Sequence, residues 1–137
     1  MAKDAIHEAV KKAITDDGWK ILADPFRMDY GSYRLFADLA AERTLAAERD
    51  GRKIIVEIKT FSERSFIKAF QQALGQYKLY LDVLALTNRD YELYLAISRS
   101  VYEEFFVQDA IVQLVQRNQL KLIVVELAKK AIVKWIN

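Results

Sequence analysis

The stretch Lys53-Ile54-Ile55-Val56-Glu57-Ile58-Lys59 reads as a buried strand that carries an acid and a base near its end. Side chains alternate across a sheet, so Ile54, Val56 and Ile58 share one face while Ile55, Glu57 and Lys59 share the other. Glu57 and Lys59 then stand about 7 Å apart along the strand. Burying such charges is costly unless they are paired, hydrated or bound to a metal. A second carboxylate, Asp38, falls on the preceding predicted strand, separated from Glu57 by 18 residues. Two carboxylates on neighbouring strands can share one divalent cation, with waters and substrate oxygens completing its shell. Lys59 reaches the same space, where it can position or deprotonate a water or neutralise charge on a phosphate. Together the three form a kit for metal-assisted phosphodiester hydrolysis. The plain alternative is a solvated or salt-bridged strand face.

The elements that must position these residues follow from periodicity. Residues 3–16 predict an amphipathic helix, with Ile6, Ala9, Val10, Ala13 and Ile14 on one stripe and Gly18 as its stop. His7 lies at the edge of that stripe and Glu8 on the polar side. Residues 19–23 predict a short strand closed by Asp24-Pro25. Residues 33–39 predict a second strand, with Arg34, Phe36 and Asp38 on one face. The stretch 40–49 has helix-forming composition, yet Asp50-Gly51 is a hairpin signal. The favoured reading pairs a strand at 44–49 with the strand at 53–59.

Residues 63–86 predict a long helix through Phe66, Phe70, Ala73, Leu74, Tyr77, Leu81 and Leu84. Gln76 and Tyr80, four apart, stack on its border. A strand at 91–98 follows. Residues 99–117 read as helical with a break near Gln108-Asp109, and with Val101, Phe105, Phe106, Ile111, Leu114 and Val115 inward. A strand at 121–127, a turn at Lys129-Lys130 and a strand at 131–136 make a closing hairpin. Interleaved strands and helices predict an α/β (α+β) domain spanning residues 1–137, a central mixed β-sheet flanked by helices.

Composition narrows the chemistry. The chain has 137 residues, 53% apolar and 29% charged, which excludes a disordered polymer. It has no cysteine and a single histidine, so thiolate chemistry and a multi-histidine zinc site are excluded. A metal would be a hard, oxygen-ligated ion, magnesium or manganese. A net charge of +2 is far from the footprint of a strongly basic nucleic-acid binder. No apolar run reaches membrane-spanning length and the N-terminus lacks the apolar centre of a signal peptide, so no membrane role and a cytoplasmic location are expected.

Phe36-Ala37-Asp38 and Val56-Glu57-Ile58-Lys59 resemble the active-site motif of the PD-(D/E)xK phosphodiesterase superfamily, with its restriction-endonuclease-like αβββαβ core. Ala37 stands where that motif often has proline. The resemblance implies that Asp38, Glu57 and Lys59 serve catalysis, with Asp38 and Glu57 holding Mg²⁺ or Mn²⁺. Gln76-Tyr77-Lys78-Leu79-Tyr80 looks like the Q-xxx-Y motif of some branches, implying that Gln76 and Tyr80 orient phosphate or the lysine. A first-helix acid often completes the metal site. Glu8 fits by type but not by helical phase, and His7 fits by phase but has the wrong chemistry for magnesium, though it could contact a phosphate or water.

A closer resemblance covers nearly the whole chain. Ala2-Lys3-Asp4-Ala5-Ile6-His7-Glu8-Ala9-Val10, Asp17-Gly18-Trp19, Asp24-Pro25, Asp38-Leu39 and Ala73-Leu74-Gly75-Gln76-Tyr77 are similar to the XisH family. So are Gln119-Leu120-Lys121-Leu122-Ile123-Val124 and Ile132-Val133-Lys134-Trp135-Ile136-Asn137. These are fdxN element excision controlling factors of filamentous cyanobacteria. The resemblance implies a role in DNA rearrangement beside a site-specific recombinase and a small XisI-like protein. Three readings stay open: a metal-dependent nuclease or nicking enzyme, a non-catalytic accessory factor that binds DNA or protein, and a structural ion-pair cluster. A homodimer joined through the terminal hairpin is a further expectation.

Overall fold

The computed structural model describes residues 3–43 and 51–137. In chain order the elements are α1 (Lys3–Asp16), β1 (Lys20–Ala23), β2 (Phe26–Tyr30), β3 (Tyr33–Ala37), β4 (Leu39–Arg43), β5 (Arg52–Ile58), α2 (Phe66–Leu86) and β6 (Glu92–Ser98). Then come α3 (Arg99–Val101), a π-helical turn (Tyr102–Phe106), α4 (Asp109–Arg117), β7 (Leu122–Glu126) and β8 (Ala131–Ile136). The main sheet has six strands in the order β1-β4-β5-β6-β7-β8, and β2 with β3 forms a separate two-stranded ribbon.

The sheet is mixed because its connections are. Strands β5, β6 and β7 run parallel, linked by helical crossovers. The flanking pairs β1–β4, β4–β5 and β7–β8 are antiparallel. A parallel centre must be covered on both faces, so its strands read as continuous apolar runs. Ile54, Ile55 and Val56 in β5 and Leu93 to Ile97 in β6 are buried accordingly. Ile54 and Val56 join the core under α1, with Val10, Ile14, Trp19 and Leu39. Ile55 joins the opposite core under α2, with Ala40, Phe70, Tyr77 and Leu95. Truncating any one of these isoleucines to alanine would cost about 2–5 kcal/mol.

Local signals set the boundaries. Gly18 takes φ +98° after α1, a backbone angle that L residues avoid. Helix α2 starts at Ser65, whose hydroxyl accepts the Lys68 amide at 3.4 Å. Its predicted start at 63 is therefore three residues early. Tryptophans Trp19 and Trp135 meet at 5.7 Å between ring centres, and Tyr94 abuts Trp135 at 5.0 Å. This aromatic group fastens β8 to the α1 face.

Several expectations need correction. The predicted strand at 33–39 breaks at Asp38, and its two halves belong to different sheets. Residues 26–30, left without an element, form β2 and pair with β3 from Phe26↔Ala37 to Tyr30↔Tyr33. The partner of β5 is β4, with Leu39↔Val56 and Arg43↔Arg52 in register. Both edges of β5 are thus filled, by β4 and β6, and the expected strand at 44–49 lies outside the described residues. The helical stretch from 99 does break at Gln108, the residue before α4. Leu114, expected inward, is 37% exposed.

Candidate active site

The break at Asp38 builds the site. There the chain leaves the ribbon and enters the main sheet, so the backbone ladder is interrupted. The Asp38 side chain supplies the missing acceptor: its Oδ2 takes the Ile58 amide at 2.7 Å. Leu39 pairs with Val56, so one step further along both strands brings Asp38 level with Glu57. Glu57 has the same strand parity as Ile55 and points to the α2 side. It is buried, at 9% exposure. Lys59 follows directly, its amide continuing the ladder to the Ala96 carbonyl at 3.0 Å.

Beyond the ends of β5 and β6 opens a cleft of about 600 Å³. Clefts at the carboxyl ends of parallel strands are the usual binding place in such sheets. Asp38, Lys59 and His7 line it, together with Gln72 from α2 and the hydroxyls of Thr60, Ser62, Ser98 and Ser100. The hydroxyls form two pairs, Thr60 with Ser62 at 3.0 Å and Ser98 with Ser100 at 3.2 Å. Phe61, between them, holds φ +50°, a strained value for an aromatic residue. It is kept there by ring contacts to Phe66 at 5.4 Å and Phe106 at 5.5 Å.

His7 is oriented by a carboxylate. Its Nε2 meets Asp24 Oδ1 at 2.8 Å, and its Nδ1 lies 4.0 Å from Asp38 Oδ1. Lys11 donates to the other Asp24 oxygen at 2.7 Å. Burial pushes the Asp24 carboxyl upward, but the bonds from Lys11 and His7 outweigh it and hold the group below the usual carboxylate range. Glu8 is exposed and gathers with His7 and Asp24, their ligand atoms within 4.8 Å of one another. It does not line the cleft.

Gln76 and Tyr80 stand behind Asp38 and do not line the cleft. Tyr80 donates to the Phe36 carbonyl at 2.7 Å, and Gln76 Nε2 donates to the Tyr80 oxygen at 3.1 Å. Burial pushes the Tyr80 phenol up, and the negative charges of Glu57 and Asp38 add to it, so it remains a donor. The pair pins the end of β3 two residues before Asp38.

Sequence reasoning missed Asp24, Gln72 and the four hydroxyls. Gln72 was within reach, since it precedes Gln76 by one helical turn and shares its border. Ser98 had a signal too, as the last residue of the strand after the long helix. Asp38 and Glu57 offer the hard oxygens that a divalent cation takes, with the His7 imidazole nitrogen 4.0 Å from Asp38.

A family model described as XisH protein matches residues 1–133. This chain belongs to the XisH family. Solved structures agree with that membership over the whole fold. An XisH family protein from Nostoc punctiforme PCC 73102 is 36% identical, covers 98% of this chain and 100% of its own, and superposes with a TM-score of 0.87. A fdxN element excision controlling factor protein from Anabaena variabilis is 38% identical, with the same coverages of 98% and 100% and a TM-score of 0.86. No curated protein matches. The mixed sheet, its flanking helices and the C-terminal hairpin are thus the architecture of XisH crystal structures. Among the described residues, no XisH helix in this chain is long and apolar enough to cross a membrane.

Proposed function

We propose that this chain acts in the control of DNA-element excision, and that it does so as a Mg²⁺- or Mn²⁺-dependent phosphodiesterase on DNA. The first part is supported by the Anabaena variabilis relative, whose name is fdxN element excision controlling factor. The second part is carried by one observation: Asp38 is bonded to the Ile58 amide between Glu57 and Lys59, and shares a cleft with Lys59. This placement supports reading Asp38, Glu57 and Lys59 as a PD-(D/E)xK site.

Asp38 and Glu57 are the residues that would hold the metal. When bound, the ion supplies Lewis-acid stabilisation of the phosphate and a more acidic water. The remaining work falls to the chain. Asp38 has one oxygen committed to a backbone amide, so the other is fixed toward the cleft. Lys59 holds a water or offsets charge on the phosphate. Thr60, Ser62, Ser98 and Ser100 give neutral donors for the sugar-phosphate chain. The test is to incubate the protein with supercoiled plasmid in Mg²⁺, Mn²⁺ or a chelator. Open-circle or linear product from wild type, lost in Asp38→Ala and Lys59→Ala, is the expected result. Equal behaviour of all three proteins sinks the catalytic reading.

The second reading is a non-catalytic accessory factor that uses this fold to control a site-specific recombinase together with a small XisI-like protein. The observation that favours it is the position of Glu57, buried and absent from the cleft wall. Replacing Asp38, Glu57 and Lys59 together distinguishes the two. Excision that survives the triple change, with an XisI-like complex still recovered, supports the accessory role.

A further inference from the structure

The ribbon of β2 and β3 carries a surface that the phosphodiesterase site does not use. Pairing from Phe26↔Ala37 to Tyr30↔Tyr33 fixes which side chains face which way. Met28 and Ala37 are buried on the inner face. Arg27, Asp29, Arg34 and Phe36 take the outer face, with Arg27 opposite Phe36 and Asp29 opposite Arg34. Phe36 is 50% exposed there. At the tip Tyr33 is 72% and Tyr30 44% exposed. Among the described residues, every aromatic side chain left this open to solvent lies on the ribbon.

The charge around these rings is unbalanced. Asp29 is bonded to Arg27 at 2.8 Å. Besides Arg27, the charges of Arg34 and Arg89 act on the same carboxylate and lower its proton affinity. On the ribbon itself, Arg27 and Arg34 face the single carboxylate of Asp29, an excess of one positive charge. Arg89 also stacks over the Phe26 ring at 5.5 Å and donates to the Arg27 carbonyl at 3.4 Å, which ties it to the ribbon. Guanidiniums in excess seek phosphate, and open aromatic rings seek other flat rings. The ligand with both features in alternation is a nucleic-acid strand with unpaired bases. The ribbon also ends at the site: β3 stops at Ala37, and the next residue, Asp38, lines the cleft.

We propose that the β2–β3 ribbon is a stacking platform for single-stranded DNA, which delivers the strand to the cleft beside Asp38. An unpaired base stacks on Phe36, and Arg34 with Arg27, on the same face of the ribbon, takes the flanking phosphates. This rests on the DNA-directed reading given above, and it names the substrate class as strands with exposed bases. A duplex hides its base faces and offers the rings nothing to stack on.

The test measures fluorescence anisotropy of a labelled oligothymidylate and of a duplex of the same length, in chelator so that hydrolysis cannot interfere. Wild type should bind the single strand at least tenfold more tightly than the duplex. Phe36→Ala should weaken single-strand binding by about tenfold, with Phe36→Tyr restoring it, whereas Tyr33→Ala, on the opposite face of the ribbon, should bind as wild type does. Arg34→Gln should reduce the slope of log affinity against log salt by about 0.7. Nicking of supercoiled plasmid in Mg²⁺, measured on the same variants, separates the two proposals: ring-dependent binding without cleavage sinks only the phosphodiesterase, and cleavage with ring-independent binding sinks only the platform. Unchanged single-strand affinity in Phe36→Ala overturns it. So does a ribbon that governs self-association in sedimentation while leaving DNA binding intact, since the rings would then serve a second copy of the chain.

Discussion

The two ends of the parallel strands use the same residue types and reach opposite results. At the amino end, Glu92 of β6 is gripped by Arg52 at 2.8 and 3.0 Å and approached by Lys121 at 3.4 Å. Arg52 also reaches the Tyr94 hydroxyl at 3.1 Å. The Arg52 hydrogen bond holds the Glu92 carboxyl below its usual range. That carboxylate is fully engaged by cations, and it reads as structure. At the carboxyl end, Asp38 takes a neutral backbone amide, and among the described residues the only basic side chain within 4.0 Å of it is the His7 imidazole. No arginine lines the cleft. A carboxylate answered by a fixed guanidinium is closed to ligands, whereas one answered by an amide keeps its negative charge available. The difference separates a brace from a site, although Glu-and-basic pairs stand at both ends in the sequence.

The comparison can be broken at either end. The largest effect should come from the cleft. Asp38→Ala should abolish nicking of supercoiled plasmid, and Lys59→Ala should slow it by about a hundredfold or more. Neither should lower the thermal midpoint by more than a few degrees. A large loss of stability with activity retained would make the cleft a second brace. Next, Tyr80→Phe removes the donor to Phe36, and should cost about 1–2 kcal/mol in urea unfolding. It should also slow cleavage by about tenfold, because the end of β3 that carries Asp38 is freed. Tyr77 offers the matched control. Its hydroxyl donates to Leu93 and accepts from Lys121 at the braced end, at 2.8 and 3.2 Å. Tyr77→Phe should cost a similar 1–2 kcal/mol with turnover unchanged.

The smallest effect belongs to Glu92. Its carboxylate is about a third exposed, so screening reduces the worth of the pair. Glu92→Gln should cost about 1 kcal/mol at neutral pH. The sign with pH follows from the depressed folded-state value. The stabilisation is complete above the ordinary carboxylate value of 4.5 and is lost as pH falls through the lower folded one. Wild type and variant should therefore converge in stability as the pH falls below 4.5 and through the lower folded value. Curves that stay parallel in acid would show that Glu92 is not the group that titrates.

Much of this was legible in the sequence, and the exceptions have physical causes. Helix α1 and the last three strands of the main sheet came from clean periodicity. Strand β4, Leu39–Arg43, did not. Its alanines favour a helix in isolation, yet Ala40 and Ala41 are fully buried between α1 and α2, where only small side chains let both helices approach. The strand break at Asp38 was hidden because alternation of apolar and polar residues continues through it. Strand β2 was hidden because only Met28 is deeply buried, so its pattern is weak. At the site, strand parity and motif order picked out Asp38, Glu57 and Lys59, of which Asp38 and Lys59 line the cleft. It could not tell that Gln76 and Tyr80 grip the backbone of β3, because a hydrogen bond to a main-chain carbonyl leaves no mark in the residue at the other end. Asp24, Thr60 and Ser62 come from loops, and Ser98 and Ser100 from the junction of β6 with α3, so their positions depend on the assembled sheet.

The packing of Trp19 on Trp135 has a consequence for how this molecule will look in solution. These are the only two tryptophans in the chain, and they lie 5.7 Å apart at one spot. Indole emission therefore samples a single neighbourhood, where the last strand rests on the first helix. Two rings this close also couple their transitions, which should give near-ultraviolet dichroism a signed doublet that vanishes when β8 undocks. A denaturation followed by this signal watches the chain ends come apart. The cleft and the ribbon are dark to it, so occupancy there has to be followed through the tyrosines or an added label.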